Sequence, residues 1–207
     1  MQLSLVDSLR CPAHPEESAL VLSVESWAGS RVAEGMLGCP VCNARYPIRR
    51  ATVHFSSTGS VRHEGTTEQV DVMRLAAQLG VTDPGGVVLL TGRYATTHAV
   101  LTDMVEVTCV LVDAGASASM LAVNFVLDGR LPLVDGALRA AAVDVERAVL
   151  LPDVVRCTKP GGRIVAPDGS PIPPGVRLLA RDDREWVGEA EGGATVQLRR
   201  SGRSPTA

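Results

Sequence analysis

The sequence predicts an α/β chain: a mostly parallel sheet with an antiparallel C-terminal edge, preceded by a small β-rich module. Three observations carry this. Two apolar runs, Val87 to Leu90 and Val107 to Val112, flank a turn holding Gly92 and a short helical stretch; strands buried on both faces of a helix-covered parallel sheet read as such unbroken runs. Upstream lie two knuckles with two-residue spacers, Cys11-Pro-Ala-His14 and Cys39-Pro-Val-Cys42. Downstream, Lys159-Pro160-Gly161-Gly162 turns a helical pattern into another apolar strand, with glycine supplying the positive φ that such a corner takes.

A chain of 207 residues can bury one good core, or a moderate core plus a small module that needs further stabilisation. The second arrangement is expected. A hydrophobic content of 45% against 21% charged residues is that of an ordered globular protein. Twenty basic and 23 acidic residues leave a net charge of -3, and aromatics are only 3%. Neither a broad basic field nor a set of base-stacking platforms is available, which argues against nucleic-acid binding. The N-terminal residues lack the basic-then-apolar pattern of a secretory signal, with Asp7 interrupting the apolar segment, so a cytoplasmic location is expected. No stretch reaches the roughly 18 to 20 continuous apolar residues of a membrane span. Five cysteines, three of them in the first 42 positions, fit a metal site in a reducing compartment better than a disulfide framework.

The N-terminal module is predicted over residues 1–55. Its knuckles are separated by the 24 residues between His14 and Cys39. A two-residue spacer lets a tight turn aim both side chains at one ion, and two such turns complete a tetrahedron. Three thiolates and one imidazole favour Zn²⁺, with Cys11, His14, Cys39 and Cys42 as ligands. Four protein ligands leave no open position, so the role is structural. The apolar residues between the knuckles (Leu20, Val21, Leu22, Val24, Trp27) supply a hairpin but hardly a core, and the metal is expected to contribute the missing folding energy. The segments LVDSLRCPAH and GCPVCNARYPIRRATVHF resemble the small zinc-ribbon activators of tRNA and translation-factor methyltransferases, over residues 3–55. That resemblance implies a docking element whose edge strand pairs with a methyltransferase sheet, in another protein or in the same chain. His14 stands where the family has a second cysteine, and Arg49-Arg50-Ala51 where it has an acidic-glycine turn.

Residues 56–67, rich in Ser, Thr and Gly, read as a flexible connection. The C-terminal domain is predicted over 68–200, with a polar tail at 201–207. Val72, Leu75, Ala76 and Leu79 fall at helical spacing with Gly80 as the C-terminal cap. Strands are expected over 137–143, after Gly162, at 176–179 and 185–187, and at 196–198, with one helix from Glu146 to Cys157. The strand Val87 to Leu90, Asp113 at the end of the second strand, the LPLVDG turn and LLPDVVRCTKPGGRIV together resemble the class I S-adenosylmethionine-dependent methyltransferases. The resemblance implies a Rossmann-like sheet and an S-adenosylmethionine site.

In that family an acid precedes a Gly-x-Gly-type turn, whereas Leu90-Thr91-Gly92-Arg93-Tyr94-Ala95 keeps one glycine, and Arg93 is placed to fill the cofactor's space. Asp113 follows Gly92 by 21 residues, near the spacing of a ribose-binding acid, but without the full glycine turn it reads rather as a cap for the next helix, AGASASML. Asp128 reads either as a contact to the adenine amine or as a turn residue. Gly92, Asp113 and Asp128 are thus the candidate cofactor residues, and S-adenosylmethionine binding is in doubt. Cys157 lies beside Arg156 and Lys159, but with no identifiable base nearby it does not read as a nucleophile, and His98 reads as a partly exposed helix residue. The expected function is that of a zinc-ribbon, methyltransferase-like protein with a degenerate cofactor site, acting through a protein partner. Two alternatives stand beside it: an active methyltransferase with an atypical glycine turn, and a zinc-dependent recognition module on an inert α/β carrier.

Overall fold

The structure, a computed structural model, describes residues 1–56, 69–115 and 121–192. Six strands form the N-terminal region: β1 (Arg10–Cys11), β2 (His14–Ala19), β3 (Val21–Ala28), β4 (Arg31–Gly38), β5 (Arg45–Arg49) and β6 (Thr52–His54). After them come α1 (Val72–Leu79), β7 (Val87–Thr91), α2 (His98–Val105), β8 (Thr108–Val112), β9 (Val123–Val126) and β10 (Leu138–Ala142). α3 (Leu151–Cys157), β11 (Thr158–Pro167), β12 (Val176–Arg181) and β13 (Glu185–Ala190) complete the described elements. β1 and β2 form their own two-stranded ribbon; the others build one sheet of 11 strands in the order β12-β13-β11-β10-β7-β8-β9-β6-β5-β4-β3.

The centre of that sheet is Rossmann-like. β11, β10, β7, β8 and β9 run parallel, with the order reversing between β7 and β10. β13 lies antiparallel between β11 and β12, the edge pair expected from the sequence. The last strand expected, 196–198, lies outside the described residues. Alternation along β7 and β8 feeds two cores. Leu89, Val110 and Val112 enter one, while Val88, Leu90, Cys109 and Leu111 enter the other with Leu75 and Leu79 of α1. Asp71 caps α1 by accepting from the amides of Met73 and Arg74, and Gly80 closes it at φ 63.

Two local expectations need correction. The helix expected from Glu146 is a 3₁₀ turn, Val145–Leu150, broken at Arg147 (φ -116, ψ 15), and the α-helix begins only at Leu151 with Pro152 in its first turn. Proline lacks the amide that would continue a helix arriving from upstream, but its φ suits a new start. The Pro-Gly-Gly corner belongs to β11 rather than to the helix end: Leu138 stands opposite Thr158, yet Ala140 stands opposite Arg163, so Lys159 to Gly162 loop out of register. Gly161 takes φ 79 there. A Cβ on Gly162 would lie 2.6 Å from the Arg139 carbonyl oxygen, so the position admits no side chain.

The N-terminal region continues the same sheet. β6 pairs in parallel with β9, Thr52 to Asn124, Val53 to Phe125 and His54 to Val126. Phe55 packs edge-on against Phe125 at 5.3 Å and against Tyr46 at 4.9 Å. On the face away from α1, the passage from β9 to β10 carries no helix among the described residues. The chain's start lies there instead: Leu9 bridges Leu133, the Arg10 amide donates to Pro132, and the Val134 amide donates to Ser8. Leu5, Leu9, Cys11 and Cys39 therefore share one core with Leu131, Leu133, Ile164 and Trp186. The sparse apolar content of residues 1–55 suffices because the region borrows this core.

Leu9 is fully buried at that junction. Leu9→Ala should cost about 2–5 kcal/mol through lost burial and the cavity left behind. Far-UV circular dichroism and the signal of buried Trp186 should shift together in a single melting transition, and two separated transitions would refute the shared core.

Candidate metal centre and switch-point crevice

Two sites were expected, and the structure treats them differently. In the N-terminal region, β1 ends on Cys11 and β2 starts on His14, which stand opposite each other across a tight turn. The second knuckle follows β4, with the Cys39 amide donating to Ala44, the Asn43 amide donating to Cys39, and Asn43 itself at φ 59. The ligand atoms of Cys11, His14, Cys39 and Cys42 all lie within 4.8 Å of one another. Cys11 Sγ is 3.8 Å from Cys42 Sγ and 3.9 Å from His14 Nδ1. A tetrahedral zinc with Zn–S bonds of about 2.3 Å has edges of about 3.8 Å. The donor set and its spacing thus fit such an ion.

The surroundings suit thiolates. Ser18 Oγ lies 3.1 Å from Cys39 Sγ, and the Tyr46 hydroxyl lies 3.3 Å from Cys11 Sγ. Burial pushes the Cys39 thiol up, but hydrogen bonds from Ser18 and from the Cys42 and Val41 amides outweigh it and bring the group down to about 6. Burial, reinforced by Cys11, raises the Tyr46 phenol and so keeps it protonated as a donor. Such outer partners fix the orientation of the ligands. Cys42 is exposed while Cys11 and Cys39 are buried, so the site opens to solvent on one side.

The crevice lies where the strand order reverses, beyond the C-terminal ends of β7 and β10. Gly92 takes φ 51, and a Cβ there would collide with the carboxylate of Asp144. Asp144 is buried at the end of β10. Its amide donates to Thr91 Oγ1 at 2.8 Å, and its carboxylate accepts from the amides of Arg93 and Val145, each at 2.8 Å. Asp113, at the end of β8, is buried with φ 50. Arg147 Nη2 contacts its Oδ2 at 2.5 Å, and the Leu127 amide donates to its Oδ1 at 3.3 Å. Asp113 follows β8 and Arg147 follows β10, the two neighbours of β7, so this ion pair joins the segments on either side of β7.

Of the three candidate cofactor residues, the structure brings Gly92 and Asp113 to one crevice, each engaged by the chain itself. Asp128 is exposed in the loop after β9 and accepts a hydrogen bond from the Ser56 hydroxyl. Asp113 as a helix cap is not testable, because residues 116–120 lie outside those described. The Arg93 amide donates to Asp144, while its side chain turns to Tyr94 and Glu185. Its guanidinium stacks on the Tyr94 ring at 5.0 Å and approaches Glu185 at 3.5 Å, and the fully buried Tyr94 donates its hydroxyl to Glu185 at 2.7 Å. Asp144 and Arg147 occupy the crevice. Both were missed, although an acid ending the apolar run Ala140-Ala141-Ala142-Val143 marks a strand's C-terminal end.

Burial pushes the Cys157 thiol up to about 12; Arg156 lowers it, and Asp153 and Asp135, which pair with Arg156 at 3.1 and 2.7 Å, raise it further. One further expectation fails. His98 is buried rather than partly exposed, with Nδ1 2.8 Å from the Ala95 carbonyl oxygen.

No protein-family model matches the chain, and comparison with curated proteins finds no match. Among solved structures, the chain is similar to a geranyl diphosphate methyltransferase in complex with GPP and sinefungin, at 15% identity and TM-score 0.39 over 46% of this chain and 43% of that one. It is similar to the tRNA (m1A58) methyltransferase TrmI from Aquifex aeolicus, at 14% identity and TM-score 0.43 over 63% and 73%. It is also similar to a chain in the complex between the Haloferax volcanii Trm112 methyltransferase activator and a methyltransferase, at 11% identity and TM-score 0.40 over 59% and 93%. The chain spans less than half the length of the first of these. The likenesses are of fold alone, and the Rossmann-like architecture rests on the strand order and directions above. No helix among the described residues is long and apolar enough to cross a membrane.

Metal analysis of the purified chain should find zinc at about one equivalent. Chelation, or Cys39→Ser, should lower the melting midpoint by roughly 10 °C or more. A structural metal contributes several kcal/mol, and each kcal/mol is about 2–4 °C for a chain of this size. Melting unchanged by a strong chelator would refute the assignment.

Proposed function

We propose that this chain is a zinc-stabilised, methyltransferase-like protein whose cofactor crevice is closed by its own side chains, and that it acts through contacts with another protein rather than by methyl transfer. Residues 1–55 are the zinc-binding part and residues 68–200 the methyltransferase-like part, joined by 56–67 and followed by a polar tail at 201–207. Zinc on Cys11, His14, Cys39 and Cys42 supplies folding energy and no chemistry, since the four ligands complete its shell. The observation that carries the reading is a pair of contacts: Asp144 against Gly92, and Arg147 on Asp113.

The argument is one of competing partners. A class I site uses a bare glycine turn and a free acid to hold a nucleoside. Here Asp144 takes the space over Gly92, and Arg147 neutralises Asp113 at 2.5 Å. A ligand entering would have to displace a buried ion pair, and stripping one partner from such a pair costs about 3–5 kcal/mol, roughly a hundredfold or more in affinity. The active-methyltransferase reading is favoured by Asp113 standing at the end of the second parallel strand, where a ribose acid belongs. A zinc module riding on an inert carrier is disfavoured, because β6 is a strand of the same sheet.

Isothermal titration of the metal-loaded chain with S-adenosylmethionine and S-adenosylhomocysteine should give no micromolar binding. Arg147→Ala, which frees Asp113, should not weaken and can only improve it. Micromolar binding by the unmodified chain, lost in Asp113→Ala, would establish the active reading instead.

A further inference from the structure

The two edges of the 11-stranded sheet are defended unequally. β12 carries Arg177, paired with Glu189 at 2.8 Å, and Arg181, paired with Asp168, and its register with β13 shifts between Leu178 and Ala180. Paired charges help keep an edge from recruiting another strand. β3, Val-Leu-Ser-Val-Glu-Ser-Trp-Ala, has no Lys, Arg or Pro, and its only neighbour among the described strands is β4. Val21 is 62% exposed and Trp27, one of two tryptophans in the chain, is 52% exposed.

The register of β3 with β4 shifts on either side of Ser26 and then recovers: Val24 stands opposite Gly35 and Trp27 opposite Val32. Val21, Ser23, Glu25 and Trp27 share one exposed face, and Leu22, Val24 and Ser26 share the other, half-buried one. A Cβ on Gly35 would lie 2.5 Å from the Ser23 carbonyl oxygen, so β4 lies close against β3. Beside the exposed face runs a groove lined by Val21, Ser23, Glu25, Met36, Pro40 and Arg45.

We propose that β3 is a self-association edge, on which a second copy of this chain lays its own β3 antiparallel about a two-fold axis at Val24. In that register the residue numbers of opposing positions sum to 48: Val21 faces Trp27, Leu22 faces Ser26, Ser23 faces Glu25, and Val24 faces itself. Each exposed apolar residue meets the other, and each carboxylate meets a hydroxyl. Aromatic pairs with β-branched residues are favourable across antiparallel strands, and like charges placed opposite are not. Moving the axis to Glu25 sets two carboxylates against each other. Moving it to Ser23 leaves Trp27 opposite Ala19, off the end of the partner strand. A sequence that complements itself in one register is the signature of an isologous contact; a foreign strand would require no such symmetry. The contact does not depend on whether the crevice takes a cofactor.

Sedimentation velocity of the full, metal-loaded chain over a micromolar concentration series should show a dimer that dissociates on dilution. The double variant Val21→Lys with Trp27→Lys sets cations opposite cations across the axis, and should weaken the dimer more than about tenfold while circular dichroism and melting stay unchanged, since both positions are exposed. The double variant Val21→Lys with Trp27→Glu sets opposite charges across the axis and should restore it. A native chain that stays monomeric, a dimer that survives the two lysines, or a charge-swapped variant that stays monomeric would each overturn the proposal.

Discussion

Three residues of β6 laid parallel on three residues of β9 decide what kind of object this chain is. Thr52, Val53 and His54 satisfy the open edge of the Rossmann-like sheet at Asn124, Phe125 and Val126. An edge strand presents a row of unpaired amides and carbonyls that must be covered, paired or guarded. Here it is paired from within the same chain, and everything N-terminal follows: β5, β4 and β3 extend the sheet, and the start of the chain folds back over its face. Leu5 and Leu9 then lie in the layer where a crossover helix would otherwise shield Val110 and Val112. The metal knuckles and Trp186 belong to one core because of that single pairing.

The same economy governs the switch-point crevice. A Rossmann-like fold places backbone amides and strand-end acids at one spot whether or not a ligand comes. Buried polar groups without partners are costly, so a chain without a ligand there has to satisfy them itself. Asp144 does so for the amides of Arg93 and Val145, and Arg147 does so for Asp113. Gly92 keeps its positive φ and its bare Cα, but the group nestled against it is a carboxylate of the same chain. A retained glycine is thus compatible with a changed use.

Much was legible in the residues. The two knuckles announced that Cys11, His14, Cys39 and Cys42 would meet, since a two-residue spacer aims both side chains at one point. α1 was readable from Val72, Leu75, Ala76, Leu79 and Gly80, where the amphipathic period and the cap agree. β7 and β8 were readable because strands buried on both faces admit only apolar side chains. What stayed unread lies where partners are distant in sequence. Arg93 finds Glu185, 92 residues away. Asp144 lies against Gly92 and Arg147 against Asp113, contacts that no local pattern announces.

By itself the sequence determined much of the local chemistry: which long apolar runs are strands, which stretch is a capped helix, and which Cys and His side chains converge on one point. Periodicity, spacing and backbone freedom act between neighbours a few residues apart, so they are written in order along the chain. Only the tertiary structure decided that the N-terminal strands join the Rossmann-like sheet, that the start of the chain packs into its core, and that Asp144 meets Gly92 and Arg147 meets Asp113. Those outcomes depend on which backbone edge meets which and on charges brought together from positions 34 residues apart, Asp113 and Arg147. No pattern of neighbours encodes such meetings; they are settled when the whole sheet closes.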